Sequence, residues 1–303
     1  MLSQRLFFGA LLIAALLGLL YVDSRLPAWL AAQETGPRFD GAVVTLVVGA
    51  LAYLGTLELA RLLRPAGHAP LFLWPAIVSI GLVLVPFAYH SGLLWMAGLG
   101  DVGVAELTVA MLVAAVFGTF AGVAARRRTE RAAGDMATSL LCVIYIGLLA
   151  QFVVTLRFHG GIALLIYFVA TVKASDIGAY FTGLALGRTK LIRWLSPKKT
   201  WEGLAGGVVA SAACAAGLSW AFGSSATSTP THATHGFPPP VHGAVFGLVM
   251  ALVGQAGDLF ESLIKRDAQS KDSASAIPAF GGVLDILDSI LLTAPVACLL
   301  LLR

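Results

Sequence analysis

The stretch LTVAMLVAAVFGTFAGVAA, Leu107–Ala125, runs for 19 positions without a charged side chain and ends on Arg126-Arg127-Arg128. As a helix it has the length needed to cross the roughly 30 Å hydrocarbon core of a bilayer, and its far end is marked by cations. The same pattern recurs along the chain. Comparable apolar segments are Phe7–Tyr21, Ala42–Leu59, Leu71–Tyr89, Thr138–Thr155, Ile162–Phe181, Leu204–Phe222, Gly243–Leu259 and Ile286–Leu302, nine in all. The whole composition agrees. Of 303 residues 58% are hydrophobic and only 12% are charged, against about 25% charged in soluble domains. The mean hydropathy is +0.87. Neither a soluble domain nor a disordered chain fits these values. The expected fold is an all-α integral membrane protein, a polytopic bundle of about nine transmembrane helices. The residues after Tyr21 offer no small-x-small cleavage site, so the first segment reads as a retained anchor.

The loops orient the bundle. With the N-terminus in the cytoplasm, 15 Lys and Arg fall on the cytoplasmic side and only Arg25, Arg38, Arg157 and Arg303 on the other. The expected location is therefore a cell membrane, multi-pass, with any site built on the basic loops facing the cytoplasm. Cys142, Cys214 and Cys298 lie in apolar segments at no ligand or redox spacing and read as small buried hydrophobes. The Ser/Thr/Pro-rich stretch 223–241 holds His232 and His235, which read as linker residues rather than metal ligands. Gly203, Gly206, Gly207, Ala210 and Ser211 are expected to let neighbouring helices approach closely.

Polar residues are sparse in the first 150 positions and gather between Lys173 and Ser289. Two regions follow: an N-terminal transmembrane region, 1–160, and a C-terminal catalytic transmembrane region, 161–303. Three clusters carry the chemistry. In the first, Lys173 and Asp176 share a helical face inside an apolar segment, where ionisable groups default to function. In the second, Ser196-Pro197-Lys198-Lys199-Thr200-Trp201-Glu202, Ser-Pro reads as a helix start. That would place both lysines in a positive first turn, which suits a phosphate. In the third, Asp258, Glu261, Ser262 and Lys265 fall on one helical face; Lys271-Asp272 and Gly281-Gly282 follow, then Asp285 and Asp288 one turn apart. Gly281-Gly282 frees the backbone for close approach to a phosphate, and carboxylates from two helix ends suit Mg²⁺. Carboxylates, cations and glycines at one membrane interface point to phosphoryl or nucleotidyl transfer.

These residues, in this order, resemble the phosphatidate cytidylyltransferase (CDP-diacylglycerol synthase) family. Its signature runs Ser-x-x-Lys-Arg, four residues, Lys-Asp, then Pro-x-His-Gly-Gly-x-x-Asp-Arg-x-Asp. Here Ser262, Lys265, Arg266, Lys271, Asp272, Pro278, Gly281, Gly282, Asp285 and Asp288 keep every spacing. Asp176-x-Gly-Ala-Tyr-Phe-x-Gly and Ser196-Pro-Lys-Lys-Thr-x-Glu-Gly also look like the family's upstream motifs. Phe280 stands where the motif has His, and Ile286 where it has Arg. Neither lost side chain is therefore essential to activity here.

The resemblance implies transfer of CMP from CTP to phosphatidic acid, giving CDP-diacylglycerol and pyrophosphate in phospholipid synthesis. It implies Mg²⁺ on Asp258, Asp285 and Asp288, with a second, monovalent cation such as K⁺ admitted at the site. Lys265 and Asp176 join those aspartates as the catalytic set. Substrate-binding roles fall to Ser196, Lys198, Lys199, Thr200, Glu202, Glu261, Ser262, Arg266, Lys271, Asp272, Gly281 and Gly282. The partners expected are CTP, phosphatidic acid, membrane lipids and a second copy of the chain in a homodimer; nucleic acid is not expected. The competing readings are a related CTP-using enzyme with another lipid acceptor and a secondary transporter using Lys173 and Asp176. A transporter wants charge near the midplane in both halves, whereas here it crowds at the ends of the last spans.

Overall fold

The computed structural model describes residues 14–26, 39–127, 129–223, 237–270 and 282–302. The loop histidines His232 and His235, together with Lys271, Asp272 and Gly281, lie outside these residues, as does the start of the Phe7–Tyr21 segment. The elements in chain order are helix α1 (from residue 14 to 26), α2 (Ala42–Leu62), α3 (Leu73–His90), α4 (Leu93–Met96), α5 (Val104–Ala124) and α6 (Ala132–Cys142). A π-helical segment, Val143–Leu148, leads into α7 (Leu149–Leu186). A hairpin of β1 (Lys190–Ile192) and β2 (Ser196–Thr200) follows, then α8 (Trp201–Gly223), α9 (Pro240–Asp267) and α10 (Leu284–Leu301).

Among the described residues seven helices are long and apolar enough to cross a membrane, so the chain is an all-α polytopic membrane protein. One of the seven, Ala132–Leu186, is 55 residues long and holds two of the expected spans. It breaks at Gly161, whose φ of 70° with ψ of −177° only glycine adopts without strain.

The chain divides into two compact units. The first comprises residues 1–158 and 267–285. Its core is built by Val78 and Leu82 of α3, Ala115 of α5 and Val143, with Trp74, Met111 and Leu140 packed around them. At one end Asp23 of α1 is fully buried. Its Oδ1 accepts the backbone N–H groups of Val43 (2.9 Å) and Val44 (3.3 Å), which open α2. Its Oδ2 takes Nε and a terminal nitrogen of Arg157, both at 2.8 Å. A carboxylate thus does the work that water would do for a helix start in solution. Elsewhere in this unit the basic loop after α5, together with α6, fastens the loop ahead of α3. Asp135 Oδ1 accepts from Ala69 N–H at 2.7 Å, Ser139 Oγ from Leu71 N–H at 2.9 Å, and Arg131 donates to the Gly67 carbonyl at 2.7 Å. Arg126 donates to the carbonyls of Ala69 and Pro70.

The second unit comprises residues 159–266 and 286–303. Its helices meet through small residues, as expected from the seventh segment. A side chain at Gly207 would press on Ser175, one at Gly206 on Thr182, and one at Gly247 on Ser211 and Ala212.

One expectation is corrected. Ser196-Pro197 does not start a helix; Ser196–Thr200 is a strand paired antiparallel with β1, Lys190 facing Thr200 and Ile192 facing Ser196. The helix start lies four residues later, where Thr200 Oγ1 accepts Gly203 N–H at 3.1 Å. Glu202 reaches back to the N–H groups of Arg188 (3.2 Å) and Thr189 (3.1 Å), and Trp201 N–H donates to the Thr189 carbonyl at 3.0 Å. The pairing partner sits across a turn, so a local reading of Ser-Pro does not see it.

The Asp23–Arg157 pair yields a stability test. Arg157→Leu leaves a buried charge without its partner and should cost about 3–5 kcal/mol, whereas Asp23→Leu with Arg157→Leu should cost less than the sum of the single changes. Thermal unfolding of the detergent-solubilised variants measures this; additive losses would show that the pair is not coupled.

Candidate active site

The site residues of the second unit are positioned by α7, β2, α8, α9 and α10. Gly257 sets the distance between two of these helices. A methyl group there would lie 2.5 Å from the Asp288 carbonyl oxygen, so only glycine lets the α9 and α10 backbones come this close. The contact draws together Asp258 and Glu261 of α9 and Asp288 of α10, with one carboxylate oxygen of each within 4.8 Å of the others. Glu261 is almost fully buried, while the Asp258 side chain is 40% exposed and forms the open member of the group.

Three lysines frame these acids. Lys199 of β2 meets Asp258 Oδ2 at 2.5 Å. Lys265 meets Glu261 Oε1 at 2.9 Å, one helical turn along α9. Lys173 of α7 donates to Asp176 Oδ2 at 2.9 Å and to Ser289 Oγ at 3.0 Å, and that hydroxyl also donates to Asp176 Oδ2 at 3.2 Å. Asp288 Oδ1 accepts Ser289 N–H at 2.5 Å. Ser289 is thus the hinge between the Lys173–Asp176 pair and the acidic group. Four carboxylates stand against three ammonium groups. Like charges this close are stable together only when further positive charge is at hand. Three carboxylates supply hard oxygen donors of the kind Mg²⁺ takes, so the donor set fits a divalent cation.

The strand geometry separates the two lysines expected to act together. Successive strand residues point to opposite faces. Lys199 turns inward to Asp258, and Lys198 is exposed. Arg266 is exposed, and its Nε donates to the Leu195 carbonyl at 3.2 Å, tying α9 to the hairpin turn. Ser262 is half-buried one position after Glu261. Asp285 lies in the first turn of α10, where its Oδ2 accepts Gly282 N–H at 2.7 Å. That amide, expected to face a phosphate, is therefore held by a carboxylate. The acidic group described by the structure has Glu261 as its third member beside Asp258 and Asp288. The one-face spacing of Asp258 and Glu261 already carried that information. The part of Ser289 had no sequence signal, since a serine inside a span ordinarily packs.

The same unit holds an apolar cavity of about 260 Å³, lined by Leu191 and Ile192 of β1, Trp201 and Leu204 of α8, and Leu252, Gln255, Ala256 and Leu259 of α9. Ala256 and Leu259 bracket Asp258 on α9, and Trp201 follows the β2 segment that carries Lys199.

The model of the cytidylyltransferase family matches residues 4–302. The chain belongs to the cytidylyltransferase family. A phosphatidate cytidylyltransferase of Chlamydia pneumoniae is 31% identical over 271 residues, covering 86% of this chain and 81% of the relative. One from Bacillus subtilis (strain 168) is 29% identical over 265 residues, covering 84% and 93%. One from Brucella suis biovar 1 is 40% identical over 134 residues, covering 44% and 45%. The resemblance seen in the motifs is borne out, and the chain is a CTP-dependent nucleotidyltransferase of the membrane.

The α9–α10 contact can be tested directly. Gly257→Ala should lower CTP-dependent turnover by about 10²-fold, the cost of a displacement near 1 Å in a catalytic constellation. Gly217→Ala in α8, where an added methyl meets nothing within 4 Å, should leave turnover unchanged. Steady-state rates of the two purified variants decide it, and equal rates would remove Gly257 from this role.

Proposed function

We propose that the chain transfers the CMP unit of CTP to phosphatidate, producing CDP-diacylglycerol and pyrophosphate. The observation that carries this reading is the group of Asp258, Glu261 and Asp288, framed by lysines, in a unit whose α9 also lines an apolar cavity. A nucleotide triphosphate needs cations, and a diacyl lipid needs an apolar surface within reach of the same atoms. Both features are built in part by α9, which carries Asp258 and lines the cavity with Leu252, Gln255, Ala256 and Leu259. The relatives' shared name supports the acceptor.

In the reaction a phosphate oxygen of the lipid attacks the α-phosphorus of CTP. The new P–O bond forms as the bond from the α-phosphorus to the bridging oxygen of the β-phosphate breaks, and pyrophosphate leaves with that electron pair. The lipid phosphate is already largely a dianion at neutral pH, since its second pKa lies near about 6, so no strong general base is required. This agrees with Phe280 at the motif's histidine position. Asp258, Glu261 and Asp288 would hold Mg²⁺, which supplies neutralisation of the developing triphosphate charge. Lys199 stands at the open carboxylate, where it can pass from Asp258 to a phosphate oxygen as substrate enters. Lys265 holds Glu261 in place, and Lys173 with Ser289 holds Asp176. Asp285 orders the turn that follows the glycine pair. The apolar cavity receives the first part of an acyl chain.

Asp258→Asn and Asp288→Asn keep side-chain size and remove charge. Each should fold and insert yet lose on the order of 10³-fold in turnover, the scale of removing one electrostatic stabiliser. The assay uses purified protein, CTP, Mg²⁺ and phosphatidate, with CDP-diacylglycerol as the readout. Near-normal rates in both variants would refute the metal assignment, and wild-type protein inactive on phosphatidate but active on another lipid phosphate would refute the acceptor.

The site works from the cytoplasm in this reading, because the Lys/Arg bias assigns the loops after Ala125 and Leu186 to that side. Single cysteines introduced at Thr129 and Ser228 should react with an impermeant thiol reagent from opposite sides of the membrane. Labelling of both from outside intact cells would overturn the orientation.

A further inference from the structure

Within the first unit, α2 carries one acidic residue, Glu58, in a helix that is otherwise almost wholly apolar. Glu58 is 7% exposed and sits beside Leu59 and Ala60, which are fully buried. A carboxylate at such a position is expensive and calls for a reason. One oxygen has a partner far away in sequence. Glu58 Oε2 accepts the Val283 N–H at 2.8 Å, across 225 residues. Val283 is itself buried and immediately precedes α10. The other oxygen, Oε1, is buried and has no hydrogen-bond partner among the described residues. A single backbone bond would be met equally well by a neutral amide, so the bond alone does not explain an acid. The place does. The start of an 18-residue helix carries partial positive charge, and an anion there is favoured.

The adjacent amide is closed in the same way. Gly282 N–H donates to Asp285 Oδ2 at 2.7 Å. The two amides at the entry to α10 are therefore held by two carboxylates, one from the first turn of the helix itself and one from α2. Both bonds fall on the segment that joins the glycine pair to Asp285. Without Glu58, Val283 N–H would be a buried donor without an acceptor, and the entry turn would have to shift to find one.

We infer that Glu58 is a positioning residue for the reaction, holding the entry turn of α10 and with it the start of the helix that carries Asp288 one turn further on. Its consequence for turnover rests on the function proposed above; the contact itself does not.

The test compares Glu58→Gln with Glu58→Met in the full-length protein. Both variants lack the charge and have nearly the native volume, but only glutamine retains an acceptor for Val283 N–H. Hydrogen exchange over residues 282–290 should be at least tenfold faster in Glu58→Met and close to native in Glu58→Gln. In the activity assay Glu58→Met should raise the Mg²⁺ concentration for half-maximal turnover and lower kcat more than it changes KM for CTP, with Glu58→Gln restoring most of both. Unchanged exchange in Glu58→Met overturns the inference whatever the activity does. Faster exchange with unchanged kcat and Mg²⁺ dependence leaves a structural cap and overturns the role in the reaction. If wild-type protein shows no CTP-dependent transfer, the proposed function fails while the exchange data still decide the contact. Should Glu58→Met fail to fold, Val283→Pro removes the same donor from the other end, at a residue that precedes the helix and whose N–H makes no intrahelical bond. It must then give the same faster exchange over 284–290 and the same Mg²⁺ shift, and their absence overturns the inference.

Discussion

The approach of α9 to α10 at Gly257 is the constraint on which the candidate site depends. With any side chain there, a carbon would press on the Asp288 carbonyl, and the helices would part. With glycine, three carboxylates come within 4.8 Å of one another. Such an arrangement costs free energy in the absence of cations, and the protein meets part of that cost with lysines drawn from α9 and β2. The remaining negative charge is what makes the group a candidate binder of a divalent ion. The hairpin exists in this context to deliver Lys199. Its strand alternation turns one lysine toward Asp258 and leaves the next outside, an arrangement that a first helical turn would not produce.

A second regularity concerns where carboxylates go in a chain with so few of them. Asp23 closes the start of α2, Asp135 takes the amide of Ala69, Glu202 gathers those of Arg188 and Thr189, and Asp285 and Glu58 serve the entry to α10. In each case an acid accepts backbone N–H groups at a helix end or a loop. An acid placed at the positive end of a helix satisfies such groups while offsetting the helix dipole. These acids close backbone amides, whereas Asp176, Asp258 and Glu261 gather in the second unit's site. Asp288 belongs to both groups, since one of its oxygens accepts Ser289 N–H.

The sequence by itself determined the class of the fold and most of the candidate site. Uncharged runs such as Leu107–Ala125 can be satisfied only by a helix in lipid, so hydropathy alone yields an all-α membrane protein. Asp258, Glu261 and Lys265 were legible as one face because helical periodicity is local, and their order with Asp285 and Asp288 was enough to suggest the family. Tertiary structure decided what depended on distant partners. The strand at Ser196–Thr200 exists because Lys190–Ile192 pairs with it across a turn, and Lys199 finds Asp258 nearly 60 positions away. Arg157 finds Asp23, and Val283 finds Glu58 across 225 residues. No periodicity encodes these meetings. They follow from which backbone amides are left open once the helices have packed, and from which buried acid lies near enough to close them.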